Sequence, residues 1–338
     1  MFLSVVIPFC NEEETIEELY ARLTETWDRL STETGATWEL ICVNDGSSDH
    51  TMEMLRVLHQ QDERVKIVDL SRNYGQQIAI SAGLDYAQGE AVIIMDADLQ
   101  DPPELMGAMI QEWQQGFHMV YAVRQARRGE TFFKKATSRL FYRLMRSLMQ
   151  VDIPLDTGEF RLMDRRMVQE MRLMREHHRF LRGLSTWIGF RQKGIYFERP
   201  RRYAGETKYP LRMMLRYALD AVTSFSYQPL YMASYLGFFL SVAALFGAVL
   251  AIGLRLSGNN NILEGQATTL VSVLLLGGVQ LISVGIIGAY LGRIYDEVKG
   301  RPLYIVSNVY GLPCRTTAEL NDGVPRPDAA TPEESTSA

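Results

Sequence analysis

The sequence predicts an α/β domain on a mainly parallel sheet, followed by two membrane-spanning helices. Three observations carry that expectation. Through the first hundred residues, apolar runs of strand length alternate with stretches of helical periodicity. Three of those runs end in polar or acidic turns, at residues 8–12, 45–49 and 96–98. Residues 230–254 and 267–291 each run for 25 positions without Asp, Glu, Lys or Arg.

Residues 2–7 (FLSVVI) read as the first strand, ending at Pro8. Residues 13–30 place Ile16, Leu19, Leu23, Trp27 and Leu30 at helical intervals. Residues 38–43 (WELICV) form the second strand, and Asn44-Asp45-Gly46-Ser47-Ser48-Asp49 turns the chain into a helix over 52–61. A third strand over 65–70, a helix over 76–87 and a fourth strand over 91–95 (AVIIM) complete the pattern. Strands separated by helices imply crossovers and a parallel sheet covered on both faces. Ligands of such sheets gather at the carboxyl ends of the strands, where all three polar turns fall.

A bilayer core takes about 20 apolar residues of helix, so the two uncharged segments read as spans. Lys and Arg flank them: Arg201, Arg202, Lys208, Arg212 and Arg216 precede the first, and Arg293, Lys299 and Arg301 follow the second. The connector 255–266 holds one Arg and one Glu. The positive-inside rule then places both ends in the cytosol and the connector outside. The expected organisation is a cytosolic domain over 1–200, an amphipathic juxtamembrane segment over 201–229, and two spans over 230–292. A cytosolic returning strand over 293–312 and a disordered tail over 313–338 follow. Residues 134–149 mix Lys and Arg with Leu, Phe, Tyr and Met, and either lie in the membrane interface or pack on the sheet. Residues 209–225 repeat the pattern beside the first span, which favours the interface.

Lys+Arg 35 against Asp+Glu 40 gives a net charge of −5, which argues against a dedicated nucleic-acid binder. Cys10, Cys42 and Cys314 show no CxxC spacing and read as small residues in a reducing compartment. No signal-peptide pattern opens the chain, so the front portion is expected to stay cytosolic. No GxxxxGK[ST] loop supports nucleotide hydrolysis, and no QxxRW motif marks a processive synthase. His177-His178 falls in a charged stretch over 171–180 that reads as helix surface.

Asp96-Ala97-Asp98 follows an apolar strand and precedes Leu99-Gln100-Asp101-Pro102. Two carboxylates one residue apart at a strand end can divide labour, one holding a ribose and the other a divalent cation. Together with Val6-Ile7-Pro8-Phe9-Cys10-Asn11-Glu12-Glu13 and Asn44-Asp45-Gly46-Ser47-Ser48-Asp49, this turn resembles the GT-A-fold family 2 glycosyltransferases. The subgroup resemblance is to polyprenyl-phosphate glycosyltransferases, the relatives of dolichol-phosphate mannose synthase. It rests on Ser71-Arg72-Asn73-Tyr74-Gly75-Gln76, Asp156-Thr157-Gly158-Glu159-Phe160-Arg161-Leu162 and residues 202–209 (RYAGETKY). Two C-terminal spans fit the bacterial branch of GtrB-type bactoprenol glucosyltransferases.

That resemblance implies inverting transfer of a sugar from a UDP-sugar to polyprenyl phosphate at the inner leaflet of a bacterial plasma membrane. It implies a nucleotide-sugar pocket of Pro8, Glu12, Asp45, Asp96, Ala97, Asp98 and Gln100, with Asp98 and Gln100 on Mg2+ or Mn2+. Arg124, Arg127, Arg139, Arg202 and Lys208 match phosphate positions, and Lys134 does so more weakly. Asp98 and Asp156 are the catalytic candidates. Asp156 is the family's candidate base, yet a phosphate monoester with a second pKa of about 6 is mostly dianionic already. Asp156 is therefore expected to orient the acceptor. The family also implies a homo-oligomer, a tetramer. UDP-glucose matches best through residues 156–162 and 180–190. UDP-linked formamido-arabinose, galactose or N-acetylhexosamine, and GDP-mannose, stay open. Cys10 stands where relatives often have Tyr and Asn44 where they often have Asp, so the base stays open too. A non-catalytic membrane scaffold that keeps the fold is the reading from another class, opposed by intact Asp45, Asp96, Asp98 and Asp156.

Overall fold

A computed structural model of the chain describes residues 1–124, 157–197, 226, 228–256, 266–313 and 315. They fall into two compact units.

The first unit is built on one eight-stranded sheet in the order β7-β5-β6-β4-β1-β2-β3-β8. Its strands are β1 (Phe2–Phe9), β2 (Thr37–Asn44), β3 (Val65–Leu70), β4 (Ala91–Ile94), β5 (Met119–Arg124), β6 (Thr157–Asp164), β7 (Gln192–Phe197) and β8 (Val306–Tyr310). β4, β1, β2 and β3 run parallel side by side, as the alternation of strands and helices predicts. β6 enters antiparallel beside β4, and β8 closes the far edge antiparallel to β3. β1 sits at the reversal, with β2 on one side and the later β4 on the other. That reversal opens a crevice at the carboxyl edge.

β1 continues one residue past Pro8, where the sequence reading stopped it. Asp45 donates its amide to the Phe9 carbonyl and Met95 to the Val6 carbonyl, so the backbone of residue 8 faces the β4 side. The β4 ladder has already ended at the Val6–Ile94 pair, so the missing proline amide costs nothing.

Helix α1 (Ile16–Thr34) buries the stripe read from the sequence, with Ile16, Leu19, Leu23, Trp27 and Leu30 against the sheet. It ends at Gly35, whose left-handed backbone (φ 64°) returns an amide to Ser31. α2 (Thr51–Gln61) follows the acidic turn after β2. α3 (Gln76–Tyr86) is buried at every residue from Ala79 to Tyr86, which holds its N-terminus rigidly at the carboxyl edge. α4 (Met106–Gln114) buries Met106, Met109 and Ile110.

The helix expected over 171–180 is not formed as read. α5 (Arg165–Leu173) begins at Asp164, whose carboxylate caps the Arg166 amide, and α6 begins only at Leu181, running to Trp187. Between them the chain folds back, and the buried Arg179 guanidinium caps the carbonyls of Met171 and Met174. A side chain so used ends a helix.

The segment leading into β8 is tied into the same sheet. Ser71 donates its amide to the Ile305 carbonyl at 2.9 Å. The Tyr304 hydroxyl donates to Asp85 Oδ2 at 2.6 Å, and Arg175 pairs with the same carboxylate at 2.7 Å. Burial and the adjoining Asp85 push the Tyr304 phenol far up, which keeps it a donor.

The second unit contains α7 (Gln228–Leu256) and α8 (Gln266–Val298). Both are long and apolar enough to cross a membrane. Phe238, Phe246 and Leu281 stand exposed on them. The Ser234 hydroxyl donates to the Leu230 carbonyl and the Ser241 hydroxyl to the Gly237 carbonyl, one turn back on the same helix, as a hydrocarbon setting favours. α8 extends six residues past residue 292, to Val298. It stops before Gly300, which takes φ 58°.

Candidate active site

The carboxyl edge brings together the turn after β1, the turn after β2, the loop after β3 and the acidic turn after β4. Asp45 is the hub. Its side chain is buried, and it accepts the Tyr74 amide at 2.7 Å and the Gly75 amide at 2.9 Å, one on each carboxylate oxygen. Burial raises its pKa, against those two bonds and the nearby Arg72. Gly46 allows this closeness. It takes φ 60°, and a Cβ there would lie 2.5 Å from the backbone of Arg72 and Asn73.

The β1 and β2 turns are laced to each other. Asn11, in a left-handed conformation, accepts the Ser48 amide at 2.8 Å and donates its own amide to Ser47 Oγ. The Glu12 amide donates to Thr51 Oγ1 at 3.0 Å. Pro8 and Glu12 are half-buried on this rim. Cys10 meets the Asn73 amide group at 3.0 Å. Asn44 donates to Asp69 Oδ1 at 2.7 Å. An aspartate at 44 would set two carboxylates in contact, which accounts for the amide in this chain.

The third group hangs from α3. Gln76 donates to Asp96 Oδ1 at 2.6 Å, and the Asp96 amide donates to Asp101 Oδ2 at 3.2 Å. The turn then passes through Leu99 at φ 60°, an uncommon conformation for a branched residue, held by burial of its side chain. Asp98 Oδ1 accepts the Gln100 amide at 3.1 Å. Burial first, then Asp101, Glu159 and Asp98, push the Asp96 carboxyl well above the usual range, against the pull of Arg182. An acid-rich turn of this kind is completed by positive charge.

Asp98 and Gln100, the pair expected on a cation, offer side-chain oxygens, the donor type that Mg2+ or Mn2+ takes. Among the described residues, no three His, Cys, Asp or Glu side chains form a group that would hold an ion alone.

Arg124, at the end of β5, lies against Gly158. A Cβ on Gly158 would come 2.9 Å from its Nη2, so a larger residue there would push the guanidinium aside. Arg124 Nε is buried without a hydrogen-bond partner among the described residues. Arg127, Lys134, Arg139, Asp156, Arg202 and Lys208 lie outside the described residues. Thr157, the residue after Asp156, opens β6 at the same carboxyl edge as Asp96.

Sequence reasoning assigned no role to Gln76, Gln77, Glu159, Arg161 or Arg182. Glu159 and Arg161 are 2% exposed in β6, and the chain signals this. Two opposite charges two residues apart, alternating with Phe160 and Leu162, share one face of the strand.

Residues 4–172 match the family described as Glycosyl transferase family 2. The chain is 50% identical over 309 residues to "Uncharacterized glycosyltransferase YkcC" of Bacillus subtilis, covering 91% of this chain and 94% of that one. It is 38% identical over 309 residues to the bactoprenol glucosyl transferase of Shigella phage SfV, covering 91% and 99%. Among solved structures, glucosyl-3-phosphoglycerate synthase from Mycobacterium tuberculosis, in complex with Mn2+, UDP and phosphoglyceric acid, is similar with a TM-score of 0.45. The identity is 17%, over 66% of this chain and 76% of that one.

Proposed function

Because the chain belongs to glycosyl transferase family 2, we propose that it carries a sugar, glucose first, from a UDP-sugar to a polyprenyl phosphate. The observation that carries this reading is the single bonded chain from Asp45 through Gly75 and Gln76 to Asp96, laid across the crevice beside β1. A lipid acceptor is supported by the two apolar helices and by relatives named for bactoprenol at 38–39% identity.

In the reaction, an oxygen of the acceptor phosphate attacks sugar C1 as the bond from C1 to the diphosphate breaks on the opposite face. The configuration inverts, and the electron pair leaves on the nucleoside diphosphate. Asp45 keeps the β3 loop closed under the nucleotide, and Asp96 takes the ribose. Arg124, with Arg127, Arg139, Arg202 and Lys208, receives phosphate charge through planar or point donors. Asp156 orients the acceptor. A divalent cation on Asp98 and Gln100 would supply neutralisation of the departing diphosphate.

Both termini and the first unit face the cytosol in this account, a sidedness supported by the Lys and Arg flanks of the two spans. In intact cells, a thiol reagent should modify Asn260→Cys and spare Ser337→Cys. The opposite pattern would reverse the sidedness.

The reading is tested with full-length protein in detergent, undecaprenyl phosphate, Mg2+ and a panel of nucleotide sugars. Acceptor-dependent UDP release is expected, fastest with UDP-glucose. Faster UDP release from another UDP-sugar, or faster GDP release from GDP-mannose, would replace the donor, and no nucleoside diphosphate released from any would leave the scaffold reading.

A further inference from the structure

The loop that joins β3 to α3, residues 71–75, carries the Tyr74 and Gly75 amides that Asp45 accepts. Its first residue is held from outside by the segment leading into β8. The pairing of β3 with β2 ends at the Asn44–Asp69 rung. On the β8 side the pairing runs on to Leu70 and Val306, and one bond further, where the Ser71 amide donates to the Ile305 carbonyl at 2.9 Å.

Two consecutive residues of that segment bracket the loop. Ile305 holds its β3 end through the carbonyl. Tyr304 reaches the helix at its other end, where its hydroxyl donates to Asp85 Oδ2 at 2.6 Å. α3 is a fixed reference, buried at every residue from Ala79 to Tyr86. The Ile305 side chain is 52% exposed and anchors little, whereas Leu303 and Tyr304 are buried. The place of the Ile305 carbonyl is therefore set by Tyr304 and Leu303 before it and by β8 after it.

The loop is too short to absorb a shift at its start. The Tyr74 amide on Asp45 follows the Ser71 amide on Ile305 by three residues, a span of at most about 10 Å. The Ser71 and Tyr74 hydroxyls also lie 3.0 Å apart, within hydrogen-bond reach. A displacement of Ser71 is thus passed to the amides that close on Asp45.

We infer that Tyr304 is a positioning residue for the nucleotide sugar. By docking residues 303–306 on α3 it fixes the Ile305 carbonyl, and through Ser71 it holds the 71–75 loop closed on Asp45. The inference deepens the functional reading above and rests on it. Tyr304 acts through the loop and touches no substrate.

Tyr304→Phe removes one hydroxyl and leaves Asp85 its pairing with Arg175, so the fold should survive. Titration calorimetry of full-length protein in detergent with UDP and Mg2+ should show affinity lowered by at least ~3-fold, part of the usual worth of a hydrogen bond to a charged group. Hydrogen exchange should quicken in residues 71–76 and 303–306 and keep its wild-type rate in β6. In turnover, the KM for the nucleotide sugar should rise while kcat and the KM for polyprenyl phosphate stay unchanged. If wild type takes GDP in place of UDP, the same comparison is made with GDP. Weaker binding with exchange quickened across the whole sheet makes Tyr304 a general support of the fold and overturns the proposal. Should Tyr304→Phe fail to fold, wild type decides: the nucleotide should slow exchange in 303–306 as well as in 71–76, and protection confined to 71–76 overturns the proposal. Wild-type protein that binds neither UDP nor GDP overturns both this proposal and the functional reading. Nucleotide bound equally by wild type and Tyr304→Phe, whatever the melting temperature, overturns this proposal alone.

Discussion

Asp98→Asn is expected to lose ~10²–10³ in kcat, the usual cost of removing one preorganised electrostatic element. The asparagine keeps the size of the side chain and an oxygen for the Gln100 amide, so the turn through Leu99 should survive. Only the charge that would hold a cation disappears. Turnover should therefore fall at unchanged melting temperature, and excess EDTA should bring wild type down to a similar level. Mg2+ or Mn2+ should restore the wild type and fail to restore the variant. An unimpaired Asp98→Asn enzyme, or full wild-type activity in EDTA, would remove the cation from the account.

The second large effect belongs to Asp45. Its two oxygens each accept a backbone amide of the β3 loop, and an asparagine has only one oxygen to offer. In Asp45→Asn an NH2 group would face the Tyr74 or the Gly75 amide. A buried donor left without a partner costs about 1–3 kcal/mol. The loop should open, raising KM for the nucleotide sugar by at least ~10-fold, since ~1.4 kcal/mol is one decade.

The same residue sets a pH dependence. Burial, the largest cause, holds the Asp45 carboxyl above its ordinary 3.8. The folded chain then binds this proton more readily than the unfolded chain does. Stability from this group is greatest below the unfolded pKa and falls as pH rises toward the folded pKa. The stability advantage of wild type over Asp45→Asn should thus be larger near pH 4 than near pH 7, read from thermal melts. An advantage that grows with pH would contradict the burial argument.

Most of the parallel sheet was legible because its strands are short apolar runs set between amphipathic helices. The stripe from Ile16 to Leu30 shows the case well, since every residue picked out by period is buried. The placement of Asp45, Asp96 and Asp98 at the carboxyl ends of β2 and β4 was legible because polar residues after such strands have a defined place in an α/β fold. The antiparallel strands β6 and β8 were harder to read. β6 pairs with β4 and β5, and nothing local in residues 157–164 states which partners it takes. The fold-back after α5 depends on Arg179 reaching carbonyls five and eight residues earlier, a contact that periodicity does not encode. The bonds from Gln77 and Arg182 to Glu159 escaped for a similar reason. Their ends are 82 and 23 residues apart in sequence and meet only once β6 lies under α3 and α6.

The most direct measurement is of the lipid product. Full-length protein in detergent is given UDP-glucose labelled in the sugar, undecaprenyl phosphate and Mg2+, and the organic extract is analysed by mass spectrometry and anomeric NMR. The account predicts one sugar joined through C1 to the polyprenyl phosphate, inverted relative to the donor, with one UDP released for each product. It also predicts that Asp98→Asn forms little of it. Released UDP with free glucose as the sole sugar product, or a lipid-linked sugar of retained configuration, would contradict the account.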